Sequence, residues 1–252
     1  MLRGFATVSL ALLLAGCGLW RPAKVPMDSV LEKSACTAAA DTLLVMLPGA
    51  YADRDDFVRE GFVAAVTERR LAVDVLLADA HLGYYDDQGS IFLRLQDDVI
   101  APARRHGYRS IWMLGISVGG LGALVYAQRH PGELAGIVAL APYLGERLTS
   151  LEIANAGGLA RWRAPAEDAA QQRDLQLWRW LQGYGSPQGA AERPPLYLGW
   201  GLDDRFAFNH RLLAPALPSD RVFTTEGGHD WPPWRRLWAR ILPTLPLPAC
   251  SD

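Results

Sequence analysis

Gly115-Ile116-Ser117-Val118-Gly119 sets one serine between two glycines, each two residues away. The run before it, "SIWMLGI" (110–116), is made of strand formers. The run after it, "VGGLGALVYAQRH" (118–130), reads as a helix stopped by Pro131. A strand that turns at once into a helix leaves the serine on a tight corner, and glycines on either side keep Cβ atoms out of it. Its hydroxyl then stands at a helix N-terminus, where the Val118 N–H and the helix dipole favour developing negative charge. That is a setting for nucleophilic attack on a carbonyl.

A serine needs a base, and the base needs an acid to hold its tautomer. "TEGGHDWPPW" supplies His229, directly after the last expected strand. The other histidines fit less well. His106 and His130 sit at helix ends, where a cation suits the dipole, and His210 falls inside an expected helix. His81, in "ADAHLGYY", follows an earlier strand and is a pocket-lining candidate. "LGWGLDDRF" offers the acid. Asp204 is favoured because the turn is complete before its carboxylate must face the histidine, and Asp203 is the alternative. No Cys/His cluster has the spacing of a metal site.

The elements that position these side chains alternate. Strands are expected at 42–50, 71–80, 110–116, 136–144, 195–201 and 221–227. Helices are expected at 56–70, 90–107, 118–130, 206–217 and 232–245. Alternation of this kind means crossover connections and a parallel sheet covered on both faces. In such sheets, sites form outside the carboxyl ends of the strands, where Ser117, the Asp203-Asp204 pair and His229 all fall.

With the order Ser117, Asp204, His229 and the motifs "GISVGG", "GLDD" and "GGHDW", the sequence resembles α/β-hydrolase fold enzymes. "QRHPGELAGIVALAPY" is similar to the segment that follows the elbow in many of them. The resemblance spans about residues 42–245. It implies a single domain over 42–248 with a mainly parallel sheet of about six strands, helices on both faces and a short helical cap within 145–193. It also implies an acyl-enzyme on Ser117 with no cofactor and no metal. The oxyanion would be held by the N–H of Val118 and one from "LPGAYAD". Ala50 is the expected donor and Tyr51 the alternative, since Pro48-Gly49 stands where members often have His-Gly. Tyr51, His81 and Trp231 are candidates for lining the pocket, while Trp234 and Trp238 are expected to pack the last helix. Trp162, Trp178, Trp180 and Tyr184 either line an acyl pocket or fasten the cap to the body.

The expected substrate is a small-molecule or lipid ester or thioester. The same triad would also serve an acyltransferase acting on envelope lipid or sugar, and a non-catalytic lipoprotein could retain the fold. A net charge of −2 gives no electrostatic reason to expect nucleic acid.

The first residues read differently. "MLRGFATVSLALLLAGC" has Arg3, then an apolar stretch shorter than the roughly 20 residues of a membrane span. Leu14-Ala15-Gly16-Cys17 resembles the lipobox of bacterial lipoproteins. It implies a signal peptide over 1–16, acylation of Cys17, a tether and N-terminal segment over 17–41, and a bacterial envelope protein facing the periplasm or exterior. Cys36 and Cys250 remain. They flank the first expected strand and the last helix, and the sequence leaves open whether they are bonded.

Overall fold

The computed structural model describes residues 21–86, 90–164 and 173–251. The expected signal peptide and Cys17 lie outside the described residues. One sheet runs in the order β1-β3-β2-β4-β5-β6-β7. The strands are β1 Ser29–Glu32, β2 Thr42–Leu47, β3 Val73–Ala78, β4 Ser110–Ile116, β5 Gly136–Leu140, β6 Leu196–Gly201 and β7 Val222–Thr225. All neighbours pair in parallel except β1, which runs against β3 with Ser29 opposite Ala78.

The middle of the sheet follows from composition. "TLLVML", "GIVAL" and "LYLGWG" are buried at every position, as strands covered on both faces must be. Helix Val118–Arg129 packs on β4 and β5 and is buried around nearly all of its surface. Helix Trp231–Ile241 closes the other end against β6 and β7. Its Trp238 ring stacks on Phe62 at 5.8 Å, and the indole Nε1–H donates to the Phe62 carbonyl at 3.1 Å.

The sheet has seven strands rather than about six. The extra one, β1, lies in the stretch expected to be tether. It is four residues long with an alternating exposed pattern, so it carries little apolar signal. Nor does the segment before it hang free. Arg21 pairs with Asp79 at 3.1 Å, Met27 is buried, and its N–H donates to Asp98 at 2.8 Å. The helix expected over 56–70 is two short ones, Asp56–Arg59 and Phe62–Glu68, broken at Gly61 with φ +76°. The helix expected over 90–107 holds a π-helical stretch, Leu95–Ile100. Among the described residues no helix is long and apolar enough to cross a membrane.

The N-terminal segment is fastened below the sheet as well. Asp74, buried at the start of β3, accepts from Lys33 Nζ at 2.8 Å, the Ser34 N–H at 2.8 Å and the Tyr108 hydroxyl. Burial alone would raise its carboxyl, but these three donors outweigh it and hold the group below the ordinary range. Beside it Cys36 and Cys250 form a disulfide, their Cα atoms 5.4 Å apart, that closes a separation of 214 residues. Cys250 N–H also donates to the Arg70 carbonyl at 2.8 Å. A cross-link over so long a loop removes much chain entropy from the unfolded state. Cys36→Ser with Cys250→Ser should therefore cost about 2–5 kcal/mol in denaturant unfolding, with activity retained under native conditions.

Candidate active site

Ser117 has φ +55° and ψ −115°, a backbone conformation that a residue with a Cβ rarely adopts. Strain of this kind costs about 1–3 kcal/mol and persists only where surroundings enforce it. Here the Ser117 N–H donates to the Leu140 carbonyl at 3.0 Å, and the Ser117 carbonyl accepts from the Tyr143 N–H at 2.9 Å. The two glycines of the motif act through closeness. A Cβ on Gly115 would sit 2.2 Å from the Gly119 carbonyl oxygen, and one on Gly119 would sit 2.2 Å from the Leu47 oxygen. The corner, the helix start and the end of β2 therefore touch through bare backbone.

The loop after β2 abuts the serine. A Cβ built on Gly49 would lie 3.6 Å from Ser117 Cβ. The turn there is closed by Ala52 N–H donating to the Gly49 carbonyl at 3.2 Å. Among the described residues no acceptor meets the N–H of Ala50 or of Tyr51, so either remains available to an anion. The Tyr51 side chain points to solvent and is 82 % exposed.

Asp204 and His229 meet beyond the ends of β6 and β7. Gly201 ends β6 against the turn after β7, where a Cβ would lie 2.2 Å from the Gly227 carbonyl oxygen. Asp203 N–H donates to that same oxygen at 3.0 Å. This brings Asp204 Oδ2 to 2.8 Å from His229 Nδ1. The Asp204 side chain is fully buried, and its Oδ1 accepts the Phe206 N–H at 2.7 Å. Asp203 is exposed. A carboxylate on Nδ1 keeps the proton there and leaves Nε2 with a lone pair, the arrangement a general base needs. Neither Nε2 nor the Ser117 hydroxyl has a hydrogen-bond partner among the described residues. Contacts of this type tighten when substrate binds.

Two aromatic rings clamp the imidazole. Phe206 and Trp234 each stand edge-on to it with centroids 5.1 Å away. Tyr143, whose backbone holds Ser117, in turn stands edge-on to Phe206 at 5.5 Å. A groove opens beside them, lined by Tyr143, Arg147, Arg205, Phe206 and Asn209. Sequence reasoning missed Phe206 and Tyr143. Their one signal was position, two residues after an acid and three after a strand.

Other candidates lie elsewhere. Trp231 packs in an aromatic cluster with Phe57, Phe62 and Trp234, one ring removed from His229. The tryptophan that touches His229 is Trp234, whose ring also packs the last helix. His81 is buried against Tyr84, its Nδ1 accepts from the Gly83 N–H at 3.2 Å, and it is not among the residues that line the groove; burial pushes its imidazole down. In the cap stretch, Trp162, Trp178 and Tyr184 are buried in the body. Helix Arg173–Gln182 leans on helix Val118–Arg129, with Gln128 donating to the Gln176 carbonyl at 2.8 Å. Trp180 faces the Arg193 guanidinium. These aromatics fasten the segment; residues 165–172 lie outside the described residues. Among the described residues no group of His, Cys, Asp and Glu can hold a metal ion.

The sheet order and its rim of loops can be compared with solved structures. An S-formylglutathione hydrolase from Agrobacterium tumefaciens superposes with a TM-score of 0.57 at 13% identity, over 86% of this chain and 88% of the other. The chain has the α/β-hydrolase fold. A ferulic acid esterase shares that fold, with a TM-score of 0.55 at 16% identity over 86% and 97% of the two chains. So does a monoacylglycerol lipase from Paleococcus ferrophilus, at 0.51 and 15% over 86% and 96%. Residues 83–186 match the model of the family described as serine aminopeptidase, S33. This stretch of the α/β-hydrolase fold contains Ser117 but neither Asp204 nor His229. No curated protein matches the chain by sequence.

Beneath the site lies a second histidine. His210 is fully buried, its Nε2–H donates to the Pro142 carbonyl at 2.9 Å, and Nδ1 has no partner among the described residues. Burial pushes its imidazole down from 6.5 to about 4. The unfolded chain therefore binds a proton at a higher pH than the folded one. The stability this neutral histidine contributes is present above about pH 6.5 and drains away as the pH falls toward 4. The loss should reach about 3 kcal/mol. His210→Gln should flatten unfolding free energy against pH across that window; an unchanged slope would place the titration elsewhere.

Proposed function

We propose that this protein is a lipid-anchored serine hydrolase that cleaves a carboxylic ester or thioester through an acyl-enzyme. One observation carries the reading: a buried carboxylate holds an imidazole by Nδ1 at 2.8 Å, on the sheet rim where a serine is strained into a strand-to-helix corner. In this reading Ser117 attacks the acyl carbonyl and His229 Nε2 takes the hydroxyl proton. Asp204 keeps the imidazole in the right tautomer and balances its charge once it is protonated.

The tetrahedral oxyanion accepts from the Val118 N–H and from Ala50 or Tyr51, contributions worth about 3 kcal/mol for one donor. The imidazolium then protonates the departing alcohol or thiol. Water, deprotonated by His229, attacks the acyl-enzyme and releases the acid. The esterase and lipase names among the structural relatives agree with an ester substrate. The Leu-Ala-Gly-Cys motif supports acylation of Cys17, and with it a bacterial envelope location facing the periplasm or exterior.

A fluorophosphonate probe tests the reading. It should label the intact protein stoichiometrically and leave Ser117→Ala unlabelled. A folded wild-type protein that resists labelling would reject the catalytic reading in favour of a non-catalytic lipoprotein.

A further inference from the structure

Resting on the lipid-anchor reading above, we propose that the rim carrying Ser117, Asp204 and His229 lies against the bilayer, so that the substrate is an acyl ester presented at the lipid surface.

The first observation is where the anchor must emerge. β1 runs antiparallel to β3, and its first residue, Ser29, faces the last residue of β3, Ala78. The chain before β1 therefore lies on the carboxyl rim of the sheet, where the candidate active site also sits. It is bound there. Arg21 pairs with Asp79, just past β3, at 3.1 Å. The Lys24 N–H donates to the Tyr84 hydroxyl at 3.0 Å, and that hydroxyl donates to the Lys24 carbonyl at 3.1 Å. Four Cα–Cα steps separate Cys17 from Arg21. They span at most about 14 Å. A domain of this length is roughly 40 Å across. An acyl group on Cys17 would thus hold the catalytic rim near the lipid, and the opposite rim cannot reach it.

The second observation is independent of the anchor. Val25 precedes β1, and Tyr51, Leu148 and Leu202 follow β2, β5 and β6; all belong to the same rim, and they are 74 %, 82 %, 75 % and 49 % exposed. The turns that enter the parallel strands lie at the other end. Among the described residues, no large apolar side chain is exposed there. They expose Arg69, Arg105, Arg109 and Asp220 instead. The first rim exposes charges as well, among them Lys24, Glu146, Arg147, Asp203 and Arg205. The two ends differ in the large apolar side chains that stand out beside those charges at the first rim and not at the other, and these suit a molecule resting on a bilayer by the first. A lipid ester would then reach Ser117 without leaving the apolar phase.

The test uses the full chain, made in a bacterium with its own leader and placed in phosphatidylethanolamine–phosphatidylglycerol vesicles whose acyl chains are brominated. A fluorophore is attached at Leu148→Cys or Leu202→Cys, and for comparison at Arg109→Cys or Asp220→Cys. Bromine quenching at 148 and 202 should exceed that at 109 and 220 at least threefold. Mass spectrometry of the Cys17 peptide reads acylation separately. An acylated chain with equal quenching at both ends overturns the orientation and leaves the anchor standing. A chain that is neither acylated nor vesicle-bound overturns the anchor, and the orientation with it. As a second measurement, Leu148→Asp with Leu202→Asp should slow hydrolysis of a vesicle-borne ester about tenfold. Its rate on a water-soluble short ester should stay within twofold. An equal fall on both substrates would also overturn the proposal.

Discussion

Ser117→Ala should lower kcat/KM on an activated ester by about 10⁶-fold, the scale seen when the nucleophile of a serine triad is removed. The fold should survive. The Ser117 hydroxyl makes no hydrogen bond that alanine would forfeit, and the backbone bonds to the Leu140 carbonyl and from the Tyr143 N–H do not involve the side chain. The melting temperature should therefore stay within a few degrees of wild type. Steady-state hydrolysis and thermal unfolding measured on the same preparation check both halves. Residual activity within tenfold of wild type would show that the hydroxyl strained into that corner is not the nucleophile.

Asp204→Asn should lower kcat by about 10⁴-fold, while Asp203→Asn should change it less than threefold. The two carboxylates are adjacent in sequence yet differ in environment. Asp204 is buried, bound by the Phe206 N–H and pointed at His229 Nδ1; Asp203 faces water. An amide at 204 can present N–H₂ to Nδ1. The imidazole then protonates on Nε2, and the lone pair that should take the serine proton is lost. The loss belongs in kcat because substrate binding does not use this carboxylate. A fall of similar size in both variants would mean that the pair acts through loop structure rather than through the tautomer of one histidine.

Both predictions rest on residues that are legible without coordinates. Strand-like and helix-like runs with an intervening Gly-x-Ser-x-Gly announce a corner, because few other sequences tolerate one. The buried strands are legible for the same reason: "LLVML" and "IVAL" have no polar position to offer solvent. The weak elements are not. β1 is short and half exposed, and its partner is chosen by contact with β3 rather than by its own composition. The break at Gly61 looks, in sequence, like any glycine in a helix.

Sequence alone determined the order of elements, the serine on its corner, and a histidine and an acidic pair placed after late strands. These depend on local propensity and on the alternation of strand and helix. Tertiary structure decided the remainder. It chose Asp204 over Asp203 as the partner of His229, put Trp234 rather than Trp231 on the imidazole, and turned the cap tryptophans inward. It also buried His81 beside Tyr84, joined Cys36 to Cys250, and docked the segment before β1 on the carboxyl rim of the sheet. Each of those outcomes is a matter of which way a side chain faces across strands distant in the chain. That direction is set by packing and register, on which a one-dimensional pattern is silent.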